Sequence, residues 1–169
     1  MLFFLVFAAV CASCLAAEYY SFSPPVGTSG GTSFALTGNG QITAVRLWEH
    51  NSAYIAGIQV RFGYIWSEII GRKQGPMQEI YLDEGEAIIQ ISGKYQSNYI
   101  YQLIFVTNRG RSLIVGQPTS TSFNMYPTHS KSQLIMLSGR YNSNGITSLG
   151  AHWGLGGMSY GNSTDMESR

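Results

Sequence analysis

Few residues in this chain have side chains suited to catalysis, and their spacing matches no common reaction. The histidines are His50, His129 and His152. None of them lies in a metal-ligand spacing or beside a nucleophile motif, so structural or solvated roles are favoured. Asp83, Glu84 and Glu86 lie together in one turn and could be imagined as an acid–base pair. Adjacent turn positions direct side chains into water, so a solvated hairpin tip is the favoured interpretation.

Other catalytic motifs are also missing from the sequence. No serine lies in a GxSxG motif, and no glycine-rich phosphate loop precedes a helix. The sequence therefore predicts a protein that is not an enzyme and that holds no cofactor and no metal.

Tyrosines and glycine-rich loops point instead to ligand binding. Five tyrosines lie in or beside loops and strand ends: Tyr95, Tyr99, Tyr101, Tyr126 and Tyr141. A tyrosine ring can pack on the apolar face of a sugar while its hydroxyl forms hydrogen bonds, although packing against a sheet is the simpler role for any single one. The segments GTSGGTS and NSNGITS let backbone N–H groups approach a polyhydroxylated ligand closely.

Composition favours a single β-rich domain. The chain has 169 residues, of which 11% are charged and 13% aromatic, and it contains 20 glycines. This length suggests one domain, and low charge with many Tyr, Gly, Ser and Thr residues favours β structure over a helical bundle. The formal net charge of +1 predicts no strong attraction to nucleic acid or to an anionic membrane.

The first residues, MLFFLVFAAVCASCLAA, have the pattern of a signal peptide over residues 1–16, with cleavage after Ala16 or Ala17. A buried helix or a membrane anchor is the alternative. Cys11 and Cys14 are the two cysteines of the chain and both lie in this segment, so the mature protein would contain no disulfide. We expect a secreted, extracellular protein without a membrane span. A glycosylation sequon at Asn162 lies in the polar tail, residues 155–169.

Apolar residues alternate with a period of two along most of the chain after a loose stretch, SFSPPVGTSGGTS. Residues 77–82 and 86–95 flank DEG, and residues 99–107 and 111–116 flank NRG, so two hairpins are predicted. Further strands are predicted over residues 42–49, 54–66, 132–140 and 145–153. No useful 3.6-residue period is present, which indicates an all-β barrel, sandwich or prism.

Six segments resemble, in order, the pattern of the jacalin-related animal lectins, with most similarity to the secreted zymogen granule protein 16 group and its salivary and mucosal relatives. They are SGGTSF, ITAVRLWE, GIQVRFGYIWSEIIG, GEAIIQISGKY, LIFVTNRGRS and ITSLGAHW. The resemblance implies a lectin domain over residues 24–154. It further implies a β-prism in which three four-stranded antiparallel sheets surround a pseudo-threefold axis, and it implies transit through a secretory granule.

The same resemblance implies a sugar site made of three loops. The implied residues are Gly30 and Gly31 of a glycine loop, Tyr95, Gln96 and Asn98 of a recognition loop, and Asn144, Gly145, Ile146 and Thr147 of a binding loop. Thr147 stands where the family's GxxxD pattern places a sugar-binding Asp. Loss of that acceptor would cost about 1.5–3 kcal/mol, or about tenfold to a hundredfold in mannose affinity, although backbone donors from Gly145 onward would remain.

Three functions are therefore considered. The favoured one is a secreted lectin that binds glycans of mucins, granule matrix or microbes. The alternative is a secretory protein-interaction or structural component on a lectin scaffold with a decayed sugar site. A weak contact with sulfated glycosaminoglycan is the third, and the low net charge argues against it. Its candidate cations are Arg46, Arg61, Arg72, Lys73, Arg109 and Arg111.

Overall fold

Alternating apolar residues form strands throughout the part of the chain that the computed structural model describes, residues 19–156. The strands are β1 Ser21–Gly27, β2 Thr32–Leu36, β3 Ile42–His50, β4 Tyr54–Phe62, β5 Ile65–Trp66, β6 Ile70–Gly71, β7 Met77–Tyr81, β8 Ile88–Tyr95, β9 Ile100–Thr107, β10 Ser112–Gly116, β11 Thr121–Met125, β12 Gln133–Tyr141 and β13 Ile146–Gly154. The predicted signal peptide and the Asn162 sequon lie outside the described residues.

The strands form three antiparallel sheets. Sheet I has the order β1-β13-β12-β2, sheet II the order β5-β4-β3-β7, and sheet III the order β10-β9-β8-β11. In sheet II, β5 pairs with residues 61–62 of β4 and β6 pairs with residues 57–58. These two short strands therefore make one interrupted edge strand, and each sheet is four strands wide. The β-prism implied by the resemblance is confirmed.

Three local predictions about the strands are wrong. The strand predicted over residues 54–66 is interrupted by a turn at residues 63–64, after which β5 folds back against β4. The stretch that was predicted to be loose contains β1, in which Pro24 and Pro25 lie at a bulge on the edge of sheet I, where a missing N–H costs no ladder hydrogen bond. The strands around DEG do not form a hairpin, because β7 pairs with β3 of sheet II whereas β8 belongs to sheet III. The hairpin around NRG, between β9 and β10, is confirmed.

The core lies between the three sheets. Side chains at alternating positions point inward and are almost completely buried, among them Leu47 in sheet II, Phe105 in sheet III and Trp153 in sheet I. Burial of a large apolar side chain stabilises the fold by roughly 1.5–3 kcal/mol, so this cluster supplies the main force that holds the sheets together.

The pseudo-threefold symmetry is visible at the ends of the edge strands. β1, β6 and β10 each end in a glycine with positive φ, at +105° for Gly27, +80° for Gly71 and +96° for Gly116. In every sheet the N–H of the next residue donates to a carbonyl of the neighbouring inner strand, over 2.8–3.0 Å. A side chain at Gly27 would meet the carbonyl oxygen of Thr147 at 2.3 Å, so only glycine fits this turn.

The prism has two ends with different loops. The upper end carries the loops of residues 28–31, 51–53, 72–76, 96–99, 117–120 and 142–145, and the lower end those of residues 37–41, 63–64, 82–87, 108–111 and 126–132. Within residues 19–156 there is no helix with the length and apolar character needed to cross a membrane.

Candidate functional site

The glycine loop, residues 28–31, is held closed against β13. Thr147 is the second residue of β13, and its Oγ1 donates to the carbonyl oxygen of Gly30 over 2.8 Å. The N–H of Thr28 donates to the carbonyl oxygen of Thr147 over 3.0 Å. Because Thr147 is only 2% exposed, its hydroxyl serves as a structural contact between loop and strand.

The implied binding loop covers the end of the 142–145 turn and the first two residues of β13, Ile146 and Thr147, and the turn itself is built around Asn142. The Oδ1 atom of Asn142 accepts the N–H of Asn144 at 2.9 Å and the N–H of Gly145 at 3.1 Å. The N–H of Asn142 in turn donates to the carbonyl oxygen of Gly145 over 3.0 Å. The Gly145 donor, expected from the sequence to be open to a ligand, is therefore satisfied inside the loop.

An aromatic pair connects this turn to the recognition loop, residues 96–99. The Tyr99 ring stacks on the Tyr54 ring with centroids 4.2 Å apart and an interplanar angle of 14°. The Tyr99 hydroxyl accepts the side-chain amides of Asn142 at 3.4 Å and Asn144 at 3.2 Å. One hydroxyl thus joins sheets I and III at the upper end, and Tyr54 joins sheet II to them.

The other residues implied for the recognition loop lie beside this pair. The N–H of Gln96 donates to the carbonyl oxygen of Tyr99 over 3.0 Å, and Asn98 Oδ1 accepts the Tyr99 N–H at 2.9 Å. Asn98 Nδ2 also lies 3.5 Å from the Tyr101 hydroxyl. The side chains of Asn98 and Asn144 are exposed, which makes their polar atoms accessible to a ligand.

Several predicted residues have packing roles instead. Tyr95 contacts Phe123 at a centroid distance of 6.1 Å and packs against the core. Ile146 is fully buried, so only its backbone can take part in a site. Tyr126 is 53% exposed but lies at the lower end, away from the three loops.

The chemistry of the three loops is neutral. Residues 28–31, 96–99 and 142–145 contain no charged side chain and present hydroxyls, amides and an aromatic ring. Near them Glu49 of β3 is 8% exposed and accepts the side-chain amide of Gln117. Such a set suits an uncharged ligand rich in hydroxyl groups. Residues 19–156 contain no group of three or more His, Cys, Asp or Glu side chains that could hold a metal ion.

The acidic turn at the lower end differs from its prediction. Glu86 is 2% exposed, and its carboxylate accepts two hydrogen bonds from the Arg111 guanidinium and one from Thr107 Oγ1 at 2.6 Å. The Arg111 and Thr107 bonds lower the pKa of Glu86 to about 2 against the opposing effect of burial. The solvated-tip prediction is therefore wrong for Glu86, which joins loops 82–87 and 108–111.

Some of the six cations proposed for glycosaminoglycan binding already pair with acidic residues of the same chain. Three of the six form ion pairs, Arg46 with Glu79, Arg109 with Asp83 and Arg111 with Glu86. Arg46 also lies over the Trp66 ring at 3.8 Å from its centroid. Intramolecular pairing reduces the charge that these residues can offer to a polyanion.

Tyr54 and Asn142 are site residues that sequence reasoning missed. An internal repeat could have indicated Asn142, because residues 92–98 read SGKYQSN and residues 138–144 read SGRYNSN. The two copies occupy the ends of β8 and β12 and the loops that follow them. Tyr54 has no such signal, since its stacking partner is 45 residues away in sequence.

Known proteins share this fold and much of this sequence. The family described as Jacalin-like lectin domain matches residues 23–152. The chain is similar to zymogen granule membrane protein 16 of Rattus norvegicus, with 43% identity over 152 residues that cover 88% of this chain and 89% of the relative. The protein of that name from Homo sapiens is 42% identical over 160 residues, covering 90% and 94%.

A solved structure gives the same result. The crystal structure of a prostate-specific WGA16 glycoprotein lectin is similar with a TM-score of 0.71 and 31% identity, covering 80% of this chain and 99% of that one. Sequence and fold thus agree over the same strands and loops, and the chain belongs to the jacalin-like lectin domain family, within the zymogen granule protein 16 group.

Proposed function

We propose that this protein is a lectin that binds carbohydrate through loops 28–31, 96–99 and 142–145 at the upper end of the prism. The observation that carries the proposal is the convergence of these three uncharged loops around the hydrogen bonds of Tyr99 and Thr147. The proposed contacts are the exposed backbone of Gly30 and Gly31 and the side chains of Gln96, Asn98 and Asn144, with Tyr95, Gly145, Ile146 and Thr147 shaping the site.

Affinity for mannose is proposed to be weak. A carboxylate accepts sugar hydroxyls through charge-assisted bonds that are about twice as strong as neutral ones. Thr147 offers one hydroxyl, and this hydroxyl already donates to Gly30 within a buried contact. The site is therefore expected to prefer a glycan that is recognised by amides and by an aromatic edge.

The test is a glycan array probed with the protein displayed multivalently, in its natural sequence and as Thr147→Asp. Multivalent display raises weak binding above the detection limit. We expect the natural sequence to bind a defined set of glycans that does not include mannose. We expect Thr147→Asp to bind mannose at least about tenfold more tightly than the natural sequence does.

Thr147→Asn is the matched control, because its amide can replace the donor to Gly30 without adding charge. Mannose binding by Asp but not by Asn would assign the gain to the carboxylate. Silence of all three proteins on the array would contradict the lectin proposal.

A second function, a protein-interaction component with a decayed sugar site, is favoured by one observation. The N–H groups of Asn144 and Gly145 are satisfied by Asn142 and are not presented to a ligand. If the natural sequence binds no glycan while Thr147→Asp binds mannose, this function replaces the first.

The proposed place of action is outside the cell, after export through a secretory granule. The apolar N-terminal segment supports export, and the Asn162 sequon supports a glycosylated tail. Proposed partners are glycans or glycoproteins of mucins, granule matrix or microbes, and a contact with sulfated glycosaminoglycan would be weak. Mass spectrometry of the secreted protein tests both cleavage near Ala16 and occupancy of Asn162.

A further inference from the structure

Exposed apolar side chains lie at the lower corner of sheet II. Tyr64 in the turn of residues 63–64 is 94% exposed, and Ile65 at the start of β5 is 77% exposed. No other large apolar side chain of residues 19–156 is as exposed as these two. Turns normally present polar residues to water, and an exposed apolar patch on a folded protein marks a surface for another molecule. This corner is therefore a candidate interaction surface.

Beside this turn, the outer face of sheet II carries a stack of aromatic rings and guanidinium groups. Trp66 of β5 pairs with Arg61 of β4. Ala44 of β3 separates Arg61 from Tyr81 of β7 in the same row. The Arg61 guanidinium lies over the Tyr81 ring at 4.9 Å from its centroid, and that of Arg46 lies over the Trp66 ring at 3.8 Å. Trp, Tyr and Arg are the residue types that contribute most binding energy at protein interfaces.

The stack is held in place by hydrogen bonds within the chain. Arg46 Nε donates to Glu79 Oε2 over 2.6 Å, and Arg46 Nη2 donates to the Tyr81 hydroxyl over 3.1 Å. Arg61 Nε donates to Thr43 Oγ1 over 2.9 Å. Side chains that are already ordered lose little conformational entropy when a partner binds. The name corner patch is used below for Tyr64, Ile65, Trp66, Arg61 and Tyr81.

Two opposite charges at the corner patch lack a charged partner within the described chain. Arg61 forms no ion pair with a carboxylate of residues 19–156, so its Nη donors are available. Glu68 follows Trp66 by two residues, is exposed, and forms no ion pair within the same range. A twofold axis brings the same patch of two copies face to face. Arg61 of each copy can then meet Glu68 of the other, so the surface is complementary to itself.

We propose that the corner patch is a self-association surface, through which two copies of this chain form a twofold-symmetric dimer with reciprocal Arg61–Glu68 ion pairs. Tyr64 and Ile65 of the two copies supply the apolar contact. An ordinary stable interface involves about 20–30 residues of each partner. The corner patch is smaller, so the dimer is weak and reversible, with a dissociation constant on the order of 10–100 µM.

The position of the corner patch leaves the proposed sugar site free. The patch is at the lower end of the prism, whereas loops 28–31, 96–99 and 142–145 are at the upper end. A dimer thus presents two sets of these loops, and two linked weak sites bind a multivalent surface more tightly than one. The inference goes beyond the proposed lectin function and does not depend on it, because self-association is measured without any glycan.

The first experiment is sedimentation velocity of the secreted protein at concentrations from about 5 to about 500 µM, a range that brackets the expected dissociation constant. The natural sequence should change from monomer to dimer across this range. Ile65→Glu should stay monomeric, because it places like charges in the apolar contact. Ile114→Glu is the matched control, since Ile114 is 53% exposed on β10 of sheet III, and it should associate like the natural sequence. Circular dichroism should show that both variants are folded.

A charge exchange tests whether the occupant is a second copy. Arg61→Glu and Glu68→Arg should each weaken the dimer at least about tenfold, because each brings like charges together across the twofold axis. A mixture of the two single variants should form a heterodimer that neither forms alone, since both ion pairs are then restored with one of them reversed. Only a partner that carries both residues permits this rescue.

Disulfide trapping provides a second measurement. Cys11 and Cys14 lie in the predicted signal peptide, so an introduced cysteine would be the single thiol of the mature protein. Oxidised Ile65→Cys should give a covalent dimer at a higher rate than Ile114→Cys.

Two results would overturn the dimer. One is a natural sequence that remains monomeric at about 500 µM, well above the expected dissociation constant. The other is an association that Ile65→Glu leaves intact or that mixing Arg61→Glu with Glu68→Arg does not restore. A monomeric protein that binds a different secreted protein through Ile65 would assign the corner patch to that partner and overturn the second copy as its occupant. None of these results bears on the glycan array, so failure of the dimer and failure of the lectin function are separable.

Discussion

The loops at the two ends of the prism are joined by different kinds of interaction. At the upper end, loops 28–31, 96–99 and 142–145 carry no charged side chain and are joined by neutral hydrogen bonds of Thr147, Asn142 and Tyr99. At the lower end, loops 82–87 and 108–111 are joined by the Arg111–Glu86 and Arg109–Asp83 ion pairs. Stability that depends on pH is therefore concentrated away from the loops proposed to hold sugar.

This difference shows how one β-prism can offer groups suited to a ligand at one end and a strong connection between loops at the other. The side chains of loops 28–31, 96–99 and 142–145 are neutral, and their hydroxyls and amides suit carbohydrate, whereas a buried carboxylate at the lower end provides a strong, specific connection between two loops. Substitutions at the two ends should accordingly differ in size and in their response to pH.

The largest effect is expected for Gly27→Ala at the upper end. The new methyl group would lie 2.3 Å from the carbonyl oxygen of Thr147, at a φ of +105° that an L-residue rarely adopts. We expect a loss of about 3 kcal/mol in the free energy of unfolding, measured by urea denaturation.

Gly110→Ala at the lower end is the matched control. Its φ is +75°, but a methyl group there would meet nothing within 4 Å, so only the conformational cost of about 1 kcal/mol should remain. Equal losses for the two variants would mean that the close approach at Gly27 does not contribute.

The second effect concerns Glu86. Glu86→Gln removes the negative charge of a carboxylate that accepts two hydrogen bonds from Arg111. We expect the midpoint of thermal unfolding at pH 7 to fall by about 5 °C. The pKa of Glu86 lies near 2 in the folded protein and below the ordinary value of 4.5. Its contribution is thus present above about pH 5 and is lost as the pH falls toward 2, so the gap between natural and variant protein should close in acid.

Glu84→Gln tests the same loop without the buried contact, since Glu84 is exposed. The midpoint of thermal unfolding of Glu84→Gln should match that of the natural protein at both pH 7 and pH 3. If the difference in midpoint between Glu86→Gln and the natural protein did not change with pH, the role given to the ionised Glu86 carboxylate would be contradicted.

The third effect is local to the upper end. Thr147→Val removes the hydroxyl that donates to Gly30 while it keeps the shape of the side chain, and we expect a loss of about 1 kcal/mol. Hydrogen exchange at the amides of residues 28–31 should accelerate, whereas exchange at residues 108–111 should not change. Thr32→Val, at an exposed position of β2, is the control and should leave both segments unchanged.

The smallest effect is expected for Asp83→Asn. The Asp83–Arg109 pair spans 3.3 Å between side chains that are 63% and 48% exposed, so water and salt weaken it. The loss should stay below about 0.5 kcal/mol at moderate salt, measured by urea denaturation. A larger loss would show that the lower end acts as one coupled network.

Much of the fold could be predicted from the sequence because strand periodicity is a local property. The alternation in residues 42–49 and 99–107 gave β3 and β9 with small errors at their ends. β1 was missed since its two prolines suggest a loop, and only its place at a sheet edge makes them acceptable. The false hairpin at DEG arose because turn residues also occur where the chain passes from one sheet to another.

The site was harder to predict, since its contacts are long-range. The resemblance indicated the loops around Gly30 and Thr147. It did not indicate that the Thr147 hydroxyl would hold the glycine loop closed by a hydrogen bond to Gly30. Burial of Glu86 depends on Arg111, which lies 25 residues further along the chain.

The pairing of β1 with β13 means that sheet I unites both ends of the described chain. The first and last strands run side by side, with Ser21 opposite Trp153, while sheets II and III are each built from one continuous segment. During synthesis these two sheets can form before β12 and β13 leave the ribosome, whereas the sheet that carries the glycine and binding loops must wait for both of these strands. Joining the two ends and opening the chain between β2 and β3 would yield a circular permutant in which all three sheets are continuous, and it should refold faster because fewer distant contacts limit the rate.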